Sequence, residues 1–134
     1  MITFPWSSKK VGPTTSTGNI HWIFAATVNE NVTKEGVQAL ITEATELTKQ
    51  EKGCLAYEWH LSEDGKSVHA YERYTDSEAA MVHVNDTFSK ISEKVTKVMT
   101  PTGLTIYGEA SDDLREAGKG FGAVHFERIG GFVH

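Results

Sequence analysis

The sequence contains little cysteine and no long apolar run. Cys54 is the only cysteine among 134 residues, so no internal disulfide can form. The first thirty residues also lack the charged-then-apolar pattern of a signal peptide, which favours a cytoplasmic, reducing location. The longest apolar runs, such as residues 22–26, are far shorter than the roughly 20 residues that cross a bilayer. We therefore expect no membrane partner.

Positive charge is scarce as well. Thirteen basic residues stand against eighteen acidic ones, which gives a net charge of −5. No run of Lys or Arg could neutralise a row of phosphates, so we expect no nucleic-acid partner. The hydrophobic fraction of 39% is too high for a disordered chain, and the length is enough to build one conventional core.

The chain divides into an arm and a domain. Residues 1–19 hold two of the three prolines and no sustained period of 2 or 3.6, which indicates an N-terminal extended arm. Residues 20–134 are expected to form a single α+β domain, with a C-terminal extension at about 111–134.

The first half of this domain alternates strand and helix periods. Residues 20–29 favour a strand, and residues 33–51 form an amphipathic stripe with Thr33 as N-cap. Two β-rich runs follow, at 54–61 and 67–74. The Asp64-Gly65 pair between these runs predicts a hairpin.

The sequence of the second half predicts two helical pieces and three shorter elements. The two helical pieces are separated by a break at Asp86-Thr87. They are followed by a strand at 104–110, a helical turn at 111–118 and a last strand at 121–129. The order βαββαβ with a hairpin-like addition matches a ferredoxin-like split βαβ fold with an antiparallel sheet. Helices cover one face of such a sheet, so its bare face predicts a homodimer.

Two motifs resemble those of the antibiotic biosynthesis monooxygenase family. They are Gly53-Cys54-x-x-Tyr57 and Glu72-x-Tyr74-x-Asp76-x-x-Ala79-x-x-x-His83, and the similarity covers roughly residues 20–110. The resemblance implies a dimeric α+β barrel, in which two sheets meet face to face. It also implies chemistry without metal or flavin in the quinol and polyketide-aromatic monooxygenases, although the family includes heme-degrading enzymes, isomerases and proteins with no assigned reaction.

His83 is the first catalytic candidate, since the resemblance puts a base or orienting group for a phenolic substrate at this position. A structural histidine bonded to the sheet is the alternative. Glu72 is the second candidate and Tyr74 accompanies it as a substrate-binding residue. This pair could instead tie the sheet to the next helix.

A further group of candidates follows from strand alternation. Glu58 and His60 share one face of strand 54–61, where they are predicted to point toward the barrel interior and assist catalysis. Their alternative is a rim ion pair or dimer contact. The other candidates for substrate binding, which could equally be ordinary core, are His21, Tyr57, Trp59, Phe88 and Tyr107.

No metal site is expected, because His69, His125 and His134 do not have the spacing of zinc or iron ligands. The leading hypothesis is a cofactor-independent monooxygenase that acts on a small planar phenol, quinol or quinone-like molecule. A non-catalytic small-molecule binding or stress-related protein is the alternative, and a barrel isomerase or decarboxylase is the third hypothesis.

Overall fold

The structure, a computed structural model, describes residues 18–134. The predicted arm at 1–19 therefore lies outside the described residues apart from its last two. The first half contains β1 (Ile20–Val28), α1 (Lys34–Thr48), β2 (Cys54–Leu61) and β3 (Ser67–Tyr74). The second half contains α2 (Ser77–Val82), a π-helical segment (His83–Phe88), α3 (Ser89–Val98), β4 (Met99–Tyr107), α4 (Asp112–Lys119) and β5 (Val124–Phe126).

The five strands form one sheet in the order β2-β3-β1-β4-β5. The pairs β1–β3, β1–β4 and β2–β3 are antiparallel, whereas β4 and β5 are parallel. This α+β arrangement is the predicted ferredoxin-like fold. The hairpin strands 54–61 and 67–74 and the N-cap at Thr33, whose side chain accepts from the Gly36 amide, are also confirmed.

Three details of the sequence prediction are wrong. The helical region does not break at Asp86-Thr87, because a π-helical turn absorbs the irregular stretch and the helix continues into α3. The fourth strand begins at Met99 instead of 104. Pro101, which lacks an N–H, is tolerated there because the β1–β4 register shifts between Ala25 and Ala26.

The third correction concerns the C-terminal addition, which is not hairpin-like. The α4 helix connects β4 to β5 and returns the chain to the same end of the sheet, so the two strands run parallel. The last strand is also only three residues long, rather than spanning 121–129.

The core lies between the helices and one face of the sheet. Alternate residues of β1 are buried there, namely Ile20, Trp22, Phe24 and Ala26. Helices α1 and α3 pack on this face through Val37, Leu40, Ala44, Ile91 and Val95. None of the helices in the described part of the chain is long and apolar enough to span a membrane.

Candidate functional site

A cavity of about 70 Å³ lies between the buried sheet face and the helices. This volume holds several water molecules, since about 10–15 Å³ suffices for one. Aromatic side chains form much of its wall: Trp22, Phe24, Tyr57, Trp59, Phe88 and Phe121. Two ionisable groups, Glu72 and His83, also line the cavity.

Local structure explains why Glu72 and His83 meet. Alternation along β3 turns Val68, Ala70, Glu72 and Tyr74 toward the helices, so the glutamate points into the core side of the sheet. Asp76 starts α2 by accepting a hydrogen bond from the Ala79 amide. The π-helical segment then begins at His83, and segments of this kind are frequent at functional sites.

His83 lies between two buried carboxylates. Its Nδ1 is 2.7 Å from Glu51 Oε2, and its Nε2 is 3.3 Å from Glu72 Oε1. The Tyr74 hydroxyl donates to the same Glu72 oxygen over 2.6 Å. The side chains of both glutamates and of His83 are at most 7% exposed, so this Glu51–His83–Glu72 cluster lies almost entirely out of water.

The environment raises the pKa of two members of the cluster. Burial raises the pKa of Glu72, and the charge of His83 and the hydrogen bond from Tyr74 offset this only in part. Burial alone would lower the pKa of His83. The hydrogen bond to Glu51 and the negative charges of Glu72 and Glu51 outweigh it, so the pKa of His83 is raised above its ordinary value.

Sequence reasoning missed Glu51. It follows α1 in the turn that leads to β2, where a glutamate looks like an ordinary solvated residue. Close packing places it: a Cβ on Gly53 would lie 2.5 Å from the Ala79 Cβ, so only glycine lets the turn approach α2 this closely. No local pattern in the sequence indicates that this turn brings Glu51 beside the helix that carries His83.

The structure brings several predicted site residues together. His83, Glu72, Tyr57, Trp59 and Phe88 line the cavity. Tyr74 lies behind it, with its ring centroid 5.5 Å from that of His83. The C-terminal extension also contributes to the wall, through Ala117, Gly118 and Phe121.

Four other candidates lie on the opposite face of the sheet, away from this cavity. His60 and Glu58 form an exposed pair, with Nε2 and Oε1 3.3 Å apart. His21 stacks on Tyr107 with ring centroids 4.8 Å apart. Strand alternation places all four opposite Glu72, so they cannot act on the same bound molecule as His83 within one chain.

Within residues 18–134, no group of three His, Cys, Asp or Glu side chains has the arrangement of a metal site. Burial and the nearby charges of Glu51 and Glu72 raise the pKa of Cys54 to about 11, which keeps the thiol protonated near neutral pH.

The fold and the cluster define a ferredoxin-like α+β protein with ionisable groups at the wall of a largely aromatic cavity. The chain belongs to the antibiotic biosynthesis monooxygenase family, whose model matches residues 23–90. The family match ends in the helical region just after His83, so α4 and its contribution to the cavity lie outside the matched segment.

Solved structures share this fold. MupZ from Pseudomonas fluorescens matches with a TM-score of 0.77 and 20% identity, over 87% of this chain and 94% of that protein. SnoaB, a cofactor-independent oxygenase from Streptomyces nogalater, matches with a TM-score of 0.60 and 10% identity, over 70% of this chain and 95% of SnoaB. Rv0793 from Mycobacterium tuberculosis matches with a TM-score of 0.58 and 20% identity, over 70% of this chain and 97% of Rv0793. A search of curated proteins found no match.

Proposed function

We propose that this protein is a cofactor-independent monooxygenase acting on a small planar phenol or quinol. The observation that carries the proposal is the Glu72–His83 pair at the wall of an aromatic cavity. Membership of the monooxygenase family supports the reaction class. SnoaB, a cofactor-independent oxygenase with the same fold, gives further support.

The cluster suits removal of a proton from a weakly acidic hydroxyl. A base works best when its pKa lies near the operating pH, and burial moves the pKa of Glu72 in that direction. We assign proton acceptance to Glu72 because both ring nitrogens of His83 already face carboxylates. His83 orients Glu72 and balances its charge.

The cavity supplies the remaining requirements. Once deprotonated, an electron-rich substrate can reduce oxygen itself, so the protein must hold it in place and exclude water. One oxygen atom then enters the product, and the other leaves as water with the two hydrogens that the substrate loses. Aromatic walls can stack on a planar ring, and displacement of Phe121 would enlarge the cavity of about 70 Å³ to admit one.

The test combines ligand identification with oxygen uptake. Native mass spectrometry of the purified protein, with collisional release, identifies any bound molecule. Oxygen consumption is then measured with a panel of phenols, naphthohydroquinones and anthrones, and ¹⁸O₂ reports whether one atom enters the product. We expect uptake by the wild type and by Glu46→Gln, a surface control. Uptake should fall about a hundredfold or more in Glu72→Gln and His83→Gln.

Uptake that persists in both variants would remove the cluster from the mechanism. His83→Gln is preferable to His83→Ala because it fills the space between the two carboxylates and is the safer variant to fold. A molecule that is released from the protein but never consumed would instead favour the binding protein.

A second candidate is an isomerase or decarboxylase that needs no oxygen. It is favoured by the presence of two carboxylates on one imidazole, an arrangement that can both remove and return a proton. Exchange of substrate hydrogen with D₂O that depends on Glu72, without oxygen uptake, would distinguish it.

We also propose that the chain works as a homodimer in which the open sheet faces meet. The helices all pack on the other face, and Ile23, Ala25 and Tyr71 lie on the open one. A homodimer formed in this way has twofold symmetry, so each residue on this surface meets the same surface of the partner.

A further inference from the structure

Glu51 lines a second cleft, on the far side of His83 from the substrate cavity. The cleft has a volume of about 340 Å³ and shares no lining residue with the cavity. Lys52, Asp76, Glu78 and Val82 border it and are exposed, so it opens to solvent between the turn after α1 and the start of α2.

Three ionisable groups connect the cavity to this cleft. Glu72 lines the cavity, His83 follows at 3.3 Å, and Glu51 follows at 2.7 Å from the other ring nitrogen. An imidazole can accept a proton on one nitrogen and release one from the other, which makes it a natural link between two carboxylates.

We propose that Glu51 is a proton relay that exchanges protons between His83 and bulk water through the second cleft. The inference rests on the proposed function, since it gives a route for the proton that Glu72 removes from the substrate. Protons would then leave on a different side from the one that binds substrate.

Each transfer conserves protons and charge. Once Glu72 has taken the substrate's proton, it no longer balances the charge of the His83 imidazolium, and His83 Nδ1 gives its proton to the Glu51 carboxylate. Glu51 then passes this proton to water in the cleft. A turnover that ends by protonating an intermediate draws a proton back along the same path, which restores the imidazolium of His83.

The second oxygen of Glu51 is buried and lacks a protein partner within residues 18–134, so it is a place for a bound water at the inner end of the cleft. Oε1 is buried but has no hydrogen-bond donor among the described residues, whereas Oε2 lies against His83. A buried carboxylate oxygen without a protein donor is normally satisfied by water. The cleft is the solvent space that Glu51 itself lines.

The test measures proton exchange at His83 and needs no substrate. Protein with ¹⁵N-labelled histidine is studied by NMR, and His83→Gln identifies the ring N–H signals of His83 by their loss. We expect their exchange with water to slow about tenfold or more in Glu51→Gln, whose amide oxygen can still accept from Nδ1. Glu46→Gln is the matched control near the end of α1 and should exchange like the wild type.

A second variant leaves the cluster untouched. Val82→Trp adds bulk at the rim of the cleft, where Val82 is 45% exposed. It should also slow exchange about tenfold. Val124→Trp, at an exposed valine of β5, should not. This pair keeps the test valid if Glu51→Gln folds poorly.

Two outcomes would overturn the relay. Unchanged exchange in Glu51→Gln means that protons reach His83 by another path. Slower exchange in Glu51→Gln but not in Val82→Trp means that Glu51 only positions the ring. The proposed monooxygenase activity is judged separately by oxygen uptake, so either proposal can fail without the other.

Discussion

At the scale of single residues, the surroundings of Glu72 change its chemistry. It is 5% exposed, accepts a hydrogen bond from Tyr74 and faces His83. Removing one member of such a buried charged pair is costly, because the other is left without a partner in a poor solvent for ions. Glu72 therefore couples the stability of the protein to the protonation of its candidate site.

This coupling predicts a pH dependence of stability. The pKa values of Glu72 and His83 are both raised in the folded state, so each group contributes stability at low pH that is lost as the pH rises through its folded pKa. We expect the wild-type Tm to fall between pH 6 and 8.5 by at least about 3 °C. Glu72→Gln should flatten this slope, since it removes one titrating group and part of what raises the other pKa.

Differential scanning calorimetry across this pH range provides the measurement. Glu46→Gln, at an exposed carboxylate, should keep the wild-type slope. A Glu72→Gln profile as steep as the wild-type profile would show that the cluster does not link protonation to folding.

At the scale of elements, the contact between the turn after α1 and the start of α2 decides the geometry of the cluster. Gly53 lies against Ala79, and the Thr75 amide donates to the Gly53 carbonyl over 2.9 Å. The same contact brings Glu51 to His83. The position therefore needs glycine for space, not for an unusual backbone angle.

Gly53→Ala should consequently destabilise the protein by about 1–3 kcal/mol, because the new Cβ has no room beside Ala79. Gly120→Ala is the matched control. Its φ is −62° and a Cβ there meets nothing within 4 Å, so we expect little change or a slight gain in stability.

Urea unfolding measures both effects. The double variant Gly53→Ala with Ala79→Gly removes the clash, so it should recover the His83 ring signals of the wild type even if glycine weakens α2. Equal stabilities for Gly53→Ala and Gly120→Ala would contradict the packing argument.

At the scale of the whole molecule, the helices leave one sheet face without a covering layer in the described residues. Ile23 lies near the middle of that face, paired with Tyr71 on one side and Thr105 on the other. This face carries both apolar and charged side chains, and the proposed homodimer would bury it.

We expect the wild type to sediment as a dimer and Ile23→Glu to weaken the dimer about a hundredfold or more, since the new carboxylate would be buried in the proposed interface. Val82→Glu places the same charge on the helical side and should remain dimeric. Analytical ultracentrifugation over a concentration series measures the monomer–dimer equilibrium of the wild type and of both variants. A wild type that stays monomeric at all concentrations would contradict the proposed dimeric barrel.

The sequence by itself determined most of the strands and helices, the ferredoxin-like order and the family. These follow from hydrophobic periodicity, Thr33 as a cap, the Asp64-Gly65 turn and two short motifs, all of which act over a few residues. The same local signals identified His83 and Glu72. They could not show the π-helical turn, because it depends on how the helix fits its neighbours.

Only the tertiary structure decided which candidates act together. Strand alternation separates Glu72 from Glu58 without telling which face holds a cavity, and that depends on where the helices pack. Glu51 lies 32 residues from His83 in sequence, and only the fit of Gly53 against Ala79 brings them together. The direction of β5 was likewise decided by the path of α4, a long-range arrangement that no local pattern specifies.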